Sequence, residues 1–541
     1  MNIFKSPGLI YKPSVYRWIF LALLIGIALY YNFGDIGQLR PAGNHIWRQC
    51  DCVSLALGYY QGDMNFFSPV MNNLQSDGCT TGLTTGEFPI LYYAVAVLWK
   101  IFGYHEAIYK MLVVLIAFAG LYSLYRMLED LLKDSLWAMF FSLLMFTSPI
   151  IVFYSINFLT NIPAFSFNLI ALYFFYLFVK KDRNRLLWIS MIFFALAGLI
   201  KVSALISLAV ILFLYFTEAL HIIRYRKDKP IFSKPLKQIL PLLMVVIVMA
   251  AWYYYAWWFN HKHGGKYTFN HIWPIWEQEP EKIAQIWKDF TAYMTRQIFS
   301  IFTLIATGLM LLTIIVLTAL RKIPWQIFLL LFVLIFGVAA YFLLWYAAFN
   351  VHDYYMIEMM IFFVVVFTAF AYFMKSRFPR FMNHWAFRIV MLALLVYGGL
   401  YTRNNLQMRL FWNQANEKTY LCYTSNHENG LWWYNWDYNK KFIEPFYTIE
   451  TYNRSLGIQQ EDKVVSLPDG SINISLVLMN QRGWNGFGAP FLGPAERMQK
   501  MKELGARYLF ISDPELYNQE YLKPYISMKI GTYMGVDIYE L

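Results

Sequence analysis

The chain has 541 residues, 59% of them hydrophobic and only 14% charged, with a formal net charge of +12. Globular chains run at about 45–50% apolar and 25% charged, so an ordinary water-facing surface is excluded for most of this length. The positive balance is not the footprint of a nucleic-acid binder, because its dense runs (Lys180, Lys181, Arg183, Arg185 and Arg224, Arg226, Lys227, Lys229) fill short gaps between apolar blocks.

Apolar blocks of roughly membrane-crossing length fall at 18–34, 108–125, 136–153, 163–179, 186–199, 203–222, 238–257, 298–320, 325–348, 356–374 and 385–402. The first follows Lys5, Lys12 and Arg17 and has no small-residue cleavage pattern behind it, so it reads as a span rather than a removed leader. A shorter block at 89–103 is ambiguous by length. Treating it as an interfacial or re-entrant helix places the basic segments 1–17, 126–135, 180–185, 224–237, 321–324 and 375–384 on one side, as the positive-inside bias requires; a full crossing would reverse every later loop. The expected architecture is an α-helical polytopic membrane protein with a cytoplasmic N-terminus and a transmembrane part over 1–402. Its first outer loop covers 35–107, and an extracytoplasmic α/β domain covers 403–541.

Within that last domain VVSLP reads as a strand, ERMQKMKEL followed by Gly505 as a capped helix, ARYLFIS as a second strand and the C-terminal end as a hairpin. No internal repeat stands out. The four cysteines, Cys50, Cys52, Cys79 and Cys422, all fall on the outer side, where an oxidising compartment permits a bridge from Cys79 to Cys50 or Cys52. Cys-x-Cys lacks a second ligand pair for a metal, and His261 and His263, two residues apart, do not share a helix face, so no metal is expected. The run AWYYYAWWFN before them reads as an interfacial aromatic belt.

Ionisable residues gather in the first outer loop, which holds Asp51, Asp63, Asp77 and Glu87 among aromatics. A carboxylate partly withdrawn from water is a suitable general base, since desolvation lifts its pKa towards the working range. Asp63 and Asp77 read as solvated loop acids. The motifs H-x-W-R-Q-x-D (His45 to Asp51), G-D-M-N-F-F-x-P (Gly62 to Pro69) and G-E-F-P-x-x-Y-Y (Gly86 to Tyr93), with Phe102-Gly103, NFLTNIPAFSF and HDYY (His352 to Tyr355), carry a resemblance. In order and sidedness they resemble the GT-C glycosyltransferases, in the branch of protein O-mannosyltransferases and the aminoarabinose transferase of lipid A.

That resemblance implies inverting transfer of a sugar from a polyprenyl-phosphate donor in the membrane to a lipid, glycan or protein acceptor outside it, with no nucleic acid and no cofactor beyond the donor. It puts Asp51 at the position of the catalytic carboxylate, with Glu87 as a second catalytic candidate. Arg48 and Asn161 are expected to position substrate. The family often has an acid where Asn161 stands, and the aminoarabinose type has Glu-Lys-Pro where this chain has Glu87-Phe88-Pro89. The donor phosphate is therefore assigned to Lys201, Arg296, His352 and Tyr355 on the outer side, Lys201 because an ionisable group between apolar spans is costly unless used. No GxxxxGK[ST] loop is present. The competing readings are a transporter or flippase for lipid-linked sugars and a catalytically inactive relative. The first needs charge at span midpoints or paired broken helices, which the spans do not show.

Overall fold

A computed structural model describes residues 13–226, 228–267, 271–410, 443–487 and 493–541. Among these, eight helices are long and apolar enough to cross a membrane, or nine if one sharply bent pair is a single span. Local chemistry sets their ends. Helices α1 (Pro13–Tyr30) and α2 (Phe33–Gln38) lead into α3 (Ile46–Gln61), a largely buried helix of the 35–107 segment, and α4 (Ile90–Phe102) stops at Gly103, whose φ of 85° suits glycine. α5 (Glu106–Leu132) is opened by His105, whose side chain accepts from the Ala107 N–H, and α6 (Ser135–Met145) by Asp134, which accepts from the amides of Leu136 and Trp137.

The block 136–153 does not form one straight crossing. α6 and α7 (Pro149–Ser155) meet at 79°, because Ser148 precedes a proline and takes an extended backbone, which ends the first helix and starts the second. Then follow α8 (Asn161–Lys181), α9 (Asn184–Ile200), α10 (Ile206–Ala219), α11 (Pro235–His263), α12 (Pro280–Asp289), α13 (Thr295–Ile298), α14 (Ile301–Ala319), α15 (Trp325–Leu344), α16 (Ile361–Arg377), α17 (Pro379–Met382) and α18 (Trp385–Leu410). The blocks 18–34, 89–103 and 186–199 form shorter apolar helices, and α18 continues beyond the expected boundary at 402. α5 and α8 touch where a Cβ on Gly120 would meet the Ser166 Cβ at 2.7 Å, so glycine there sets how closely the two helices approach.

The C-terminal part is a five-stranded sheet in the order β2-β1-β3-β5-β4, with β1 (Lys463–Leu467), β2 (Arg482–Asn485), β3 (Ala506–Ile511), β4 (Lys529–Tyr533) and β5 (Val536–Glu540). β1 runs parallel to β2 and β3, and β4–β5 is an antiparallel hairpin. The helix Pro494–Glu503 and Gly505, at φ 94°, match the expected capped helix; β2, RGWN, carries no apolar alternation to mark it as a strand. This sheet docks on the first outer loop through amides. Asn72 donates to the Gln481 carbonyl (2.9 Å), Asn73 to that of Ile472 (2.7 Å), and the Gly483 N–H donates to the Asn72 carbonyl (3.0 Å). Arg40 donates to the Leu478 (2.7 Å) and Tyr447 (3.0 Å) carbonyls while pairing with Glu106 at 3.2 Å.

A disulfide from Cys79 does not form. Cys50 and Cys52 are fully buried in α3, and Cys79 packs instead against the sheet domain, with all three thiols free. Helix burial rather than loop proximity decides this. Cys422 lies outside the described residues.

Candidate active site

α3 begins at His45, whose left-handed backbone (φ 59°) turns the chain into the helix. Spacing of three then brings His45, Arg48 and Asp51 towards one side. These three line a cavity of about 340 Å3 together with Lys201, Tyr267, His352, Tyr354, Tyr355 and Ile472. The 35–107 segment, a late helical segment and the C-terminal domain thus all contribute to one space.

Asp51 is 3% exposed and accepts a hydrogen bond from Asn473 Nδ2 at 2.8 Å. Burial raises its pKa to about 6, opposed by the nearby Arg48 guanidinium and the Asn473 hydrogen bond. The carboxylate is thus ionised at neutral pH yet basic enough to take a proton.

Glu87 has a different environment. It does not line the cavity, and its carboxylate is saturated: Arg48 Nη2 donates to Oε1 at 2.7 Å, Lys201 Nζ forms an ion pair with the same oxygen, and Tyr92 and Thr160 hydroxyls donate to Oε2 at 2.9 Å each. Burial alone would raise its pKa, but Arg48 and Lys201 outweigh it and hold the group at about 2. Glu87 therefore fixes two cations at the cavity wall and is a poor proton acceptor.

His352 lies against His45 with ring centroids 5.5 Å apart, and burial and that neighbouring imidazole depress its pKa to about 4. It faces the cavity as a neutral imidazole. His45 Nε2 is 3.2 Å from Asp353, whose carboxylate also accepts from Tyr154 and pairs with Arg409, a fully buried residue held by Asn405 (2.8 Å) and Gln297 (2.7 Å). Tyr355 lines the cavity, and its backbone carbonyl accepts from the Tyr341 hydroxyl at 3.0 Å.

Besides Glu87, two expected residues are not at the cavity wall. Arg296 sits in α13, where its carbonyl accepts from Tyr401 at 2.9 Å. Asn161 opens α8 and donates to Glu358 Oε1 at 2.8 Å, which brings an acid beside the position where the resemblance leads one to look for it. Asp63 is a loop acid accepting from the Asn65 N–H, as expected. Asp77 departs from expectation: it is buried and accepts from the Thr81 hydroxyl and the amides of Thr81, Gly82 and Thr80, whose hydrogen bonds outweigh burial and lower its pKa.

Asn473, His45, Asp353, Arg409 and Glu358 escaped assignment from the sequence. A signal existed for Glu358, a lone acid in the apolar run YYMIEMMIFF. None existed for Asn473, an amide in a loop of an ordinary domain. Among the described residues no group of three or more His, Cys, Asp and Glu side chains converges to hold a metal ion.

Residues 87–258 match the family model described as dolichyl-phosphate-mannose-protein mannosyltransferase. No curated protein sequence matches significantly. Among solved structures, the chain is similar to ArnT from Cupriavidus metallidurans in the apo state (TM-score 0.55, 10% identity, 97% of this chain and 98% of that one). It is similar also to the same protein bound to undecaprenyl phosphate (0.53, 11%, 96% and 97%). An Archaeoglobus fulgidus oligosaccharyltransferase aligns with a TM-score of 0.48 at 14% identity, over 96% of this chain and 71% of that one. The resemblance carried by the sequence motifs is thus borne out: this is a multi-pass membrane protein of the GT-C glycosyltransferase fold, whose residues 87–258 match the dolichyl-phosphate-mannose-protein mannosyltransferase family.

Proposed function

We propose that the protein is an integral membrane glycosyltransferase that moves a sugar from a polyprenyl-phosphate donor to an acceptor on the outer face of the membrane, with inversion and with Asp51 as general base. The observation that carries this reading is the shared cavity: a buried carboxylate with a pKa near 6 faces the same space as Lys201, Arg48, His352 and Tyr355. An acceptor hydroxyl needs a base in line with the anomeric carbon, whereas a departing lipid phosphate is already anionic and needs cations and hydrogen-bond donors. Asp51 serves the first need.

Arg48 and Lys201 serve the second, kept in place by Glu87. His352 in its neutral form and the Tyr355 hydroxyl supply hydrogen bonds rather than charge, and Asn161 acts through Glu358 and the Tyr354 carbonyl instead of touching substrate. Arg296 has no part in phosphate binding in this arrangement, and none of these steps calls on a resident metal. The ArnT structure bound to undecaprenyl phosphate supports a polyprenyl carrier for this fold. The outer-face location is supported by the 35–107 segment, which lines the cavity through His45, Arg48 and Asp51 and pairs Arg40 with Glu106 at the start of α5. That helix is about 40 Å long, and its far end carries Glu129, which pairs with Arg17 at 3.0 Å in the basic N-terminal segment.

The test is product analysis of cell-envelope glycans and glycolipids in a gene deletion complemented with wild type or Asp51→Asn. The wild type restores the missing product and Asp51→Asn does not, with a rate loss of about 10²–10⁴-fold in reconstituted transfer. Wild-type transfer by a normally folded Asp51→Asn protein would sink the assignment.

A further inference from the structure

A second cavity, of about 830 Å3, opens where the end of α3, the segment after it, the end of α4 and the edge of the C-terminal sheet come together. Its wall holds three cations, Lys100, Lys463 and Arg482, against one acid, Glu461. Among the described residues none of the three cations is in an ion pair. Lys100 Nζ lies 5.3 Å from the centroid of the Tyr60 ring, Lys463 Nζ donates to the Leu504 carbonyl at 3.0 Å, and Arg482 Nη2 donates to the Thr81 carbonyl at 2.6 Å. Arg482 feels the Asp77 carboxylate without pairing with it, and cations gathered around a concave space whose direct hydrogen-bond partners are neutral favour an anion there, since charge-assisted hydrogen bonds are roughly twice as strong as neutral ones. Burial also weakens the hold of the Arg482 guanidinium on its proton, a cost that a bound anion relieves.

Asn72 of the same wall belongs to a polar chain that crosses α3: the Ser54 hydroxyl donates to Asn72 Oδ1 at 2.8 Å and approaches Asn473 Oδ1 at 3.3 Å, and Asn473 donates to Asp51. The larger cavity and the smaller one containing the base are therefore neighbours across a single helix, joined by buried hydrogen bonds.

We infer that the 830 Å3 cavity binds an acidic saccharide through its carboxylate or phosphate groups, held by Lys100, Lys463 and Arg482. That the anion is carried by a glycan, and that this glycan is the acceptor, rests on the glycosyl-transfer reading; the binding of an anion does not.

The experiment is saturation-transfer NMR and calorimetric titration of the full chain in zwitterionic phosphatidylcholine nanodiscs with three probes: trigalacturonate, a phosphorylated mannose trisaccharide and neutral maltotriose. At least one anionic probe binds in preference to maltotriose, and the tighter of the two shows whether carboxylate or phosphate is recognised. Lys100→Gln, at an exposed position, weakens that binding, and Lys100→Gln with Lys463→Gln weakens it by about tenfold or more. Equal binding of maltotriose, failure of both anionic probes, or unchanged binding by the double variant overturns the inference. Asp51→Asn binds the anionic probe as wild type does, so failure of the base assignment and failure of the cavity assignment are read separately.

Discussion

Asn473 of the C-terminal domain donates a hydrogen bond from Nδ2 to Oδ1 of Asp51 at 2.8 Å, joining residues 422 positions apart in the chain. The hydrogen bond favours the ionised carboxylate and so lowers a pKa that burial raises. Replacing Asn473 by Ala removes that opposition, so the Asp51 pKa rises. Transfer that requires the deprotonated base then loses its acid limb at higher pH than wild type, where the limb lies near pH 6. A pH profile of kcat/KM in reconstituted membranes checks this; an unmoved limb in a folded Asn473→Ala protein would show that Asp51 is not the titrating group.

Glu87 holds Arg48 and Lys201 together, and its depressed pKa gives stability a definite pH dependence. The folded-state pKa of about 2 lies below the ordinary 4.5, so the stabilisation is full above about pH 4.5 and is lost as pH falls towards 2. Glu87→Gln leaves two half-buried cations without their counter-charge and lowers stability by about 1–3 kcal/mol at neutral pH. Thermal unfolding in detergent across pH 3–7 should show the difference between wild type and variant shrinking in acid, and a difference constant with pH would refute the assigned ion pairs.

Gly58 is forced by close approach rather than by backbone angle. A Cβ at that position would come within 2.1 Å of the Val70 carbonyl oxygen. Gly58→Ala therefore pushes the 70–74 segment off α3, disturbs the Asn72–Ser54 hydrogen bond, and costs on the order of 1–3 kcal/mol. Denaturation midpoints measure the loss; a variant as stable as wild type would contradict the packing of α3 on that segment.

Thiol chemistry tests the arrangement of the outer loop. Cys79 is half-buried at the loop surface and reacts with a maleimide in the folded protein, while Cys50 and Cys52, both fully buried, react only after unfolding. Peptide mapping by mass spectrometry distinguishes the three. A peptide linking Cys79 to Cys50 or Cys52 would require α3 to move.

Much of the fold was legible because membrane spans and turn chemistry are written locally. Continuous apolar runs gave the crossings, basic residues marked one set of helix ends, and Gly505 and the terminal hairpin were visible from neighbouring residues. The bend between α6 and α7 had its cause in the sequence as well, at Ser148-Pro149, but an apolar block of spanning length masks a break of three residues. Asp51 stood out through its motif, and Lys201 through the cost of placing a charge between apolar spans.

Partnership was decided by tertiary structure. Glu87 and Asp51 lie 36 residues apart as two acids of one outer loop, yet folding surrounds the first with Arg48, Lys201, Tyr92 and Thr160 and leaves the second with one amide and an open cavity. Their pKa values separate in opposite directions as a result. Hydropathy and turn propensity depend on residues a few positions apart. The environment of a buried charge depends on which distant side chains packing brings within hydrogen-bond reach, and no local pattern encodes that Asn473 meets Asp51, Glu358 meets Asn161 or Arg409 meets Asp353.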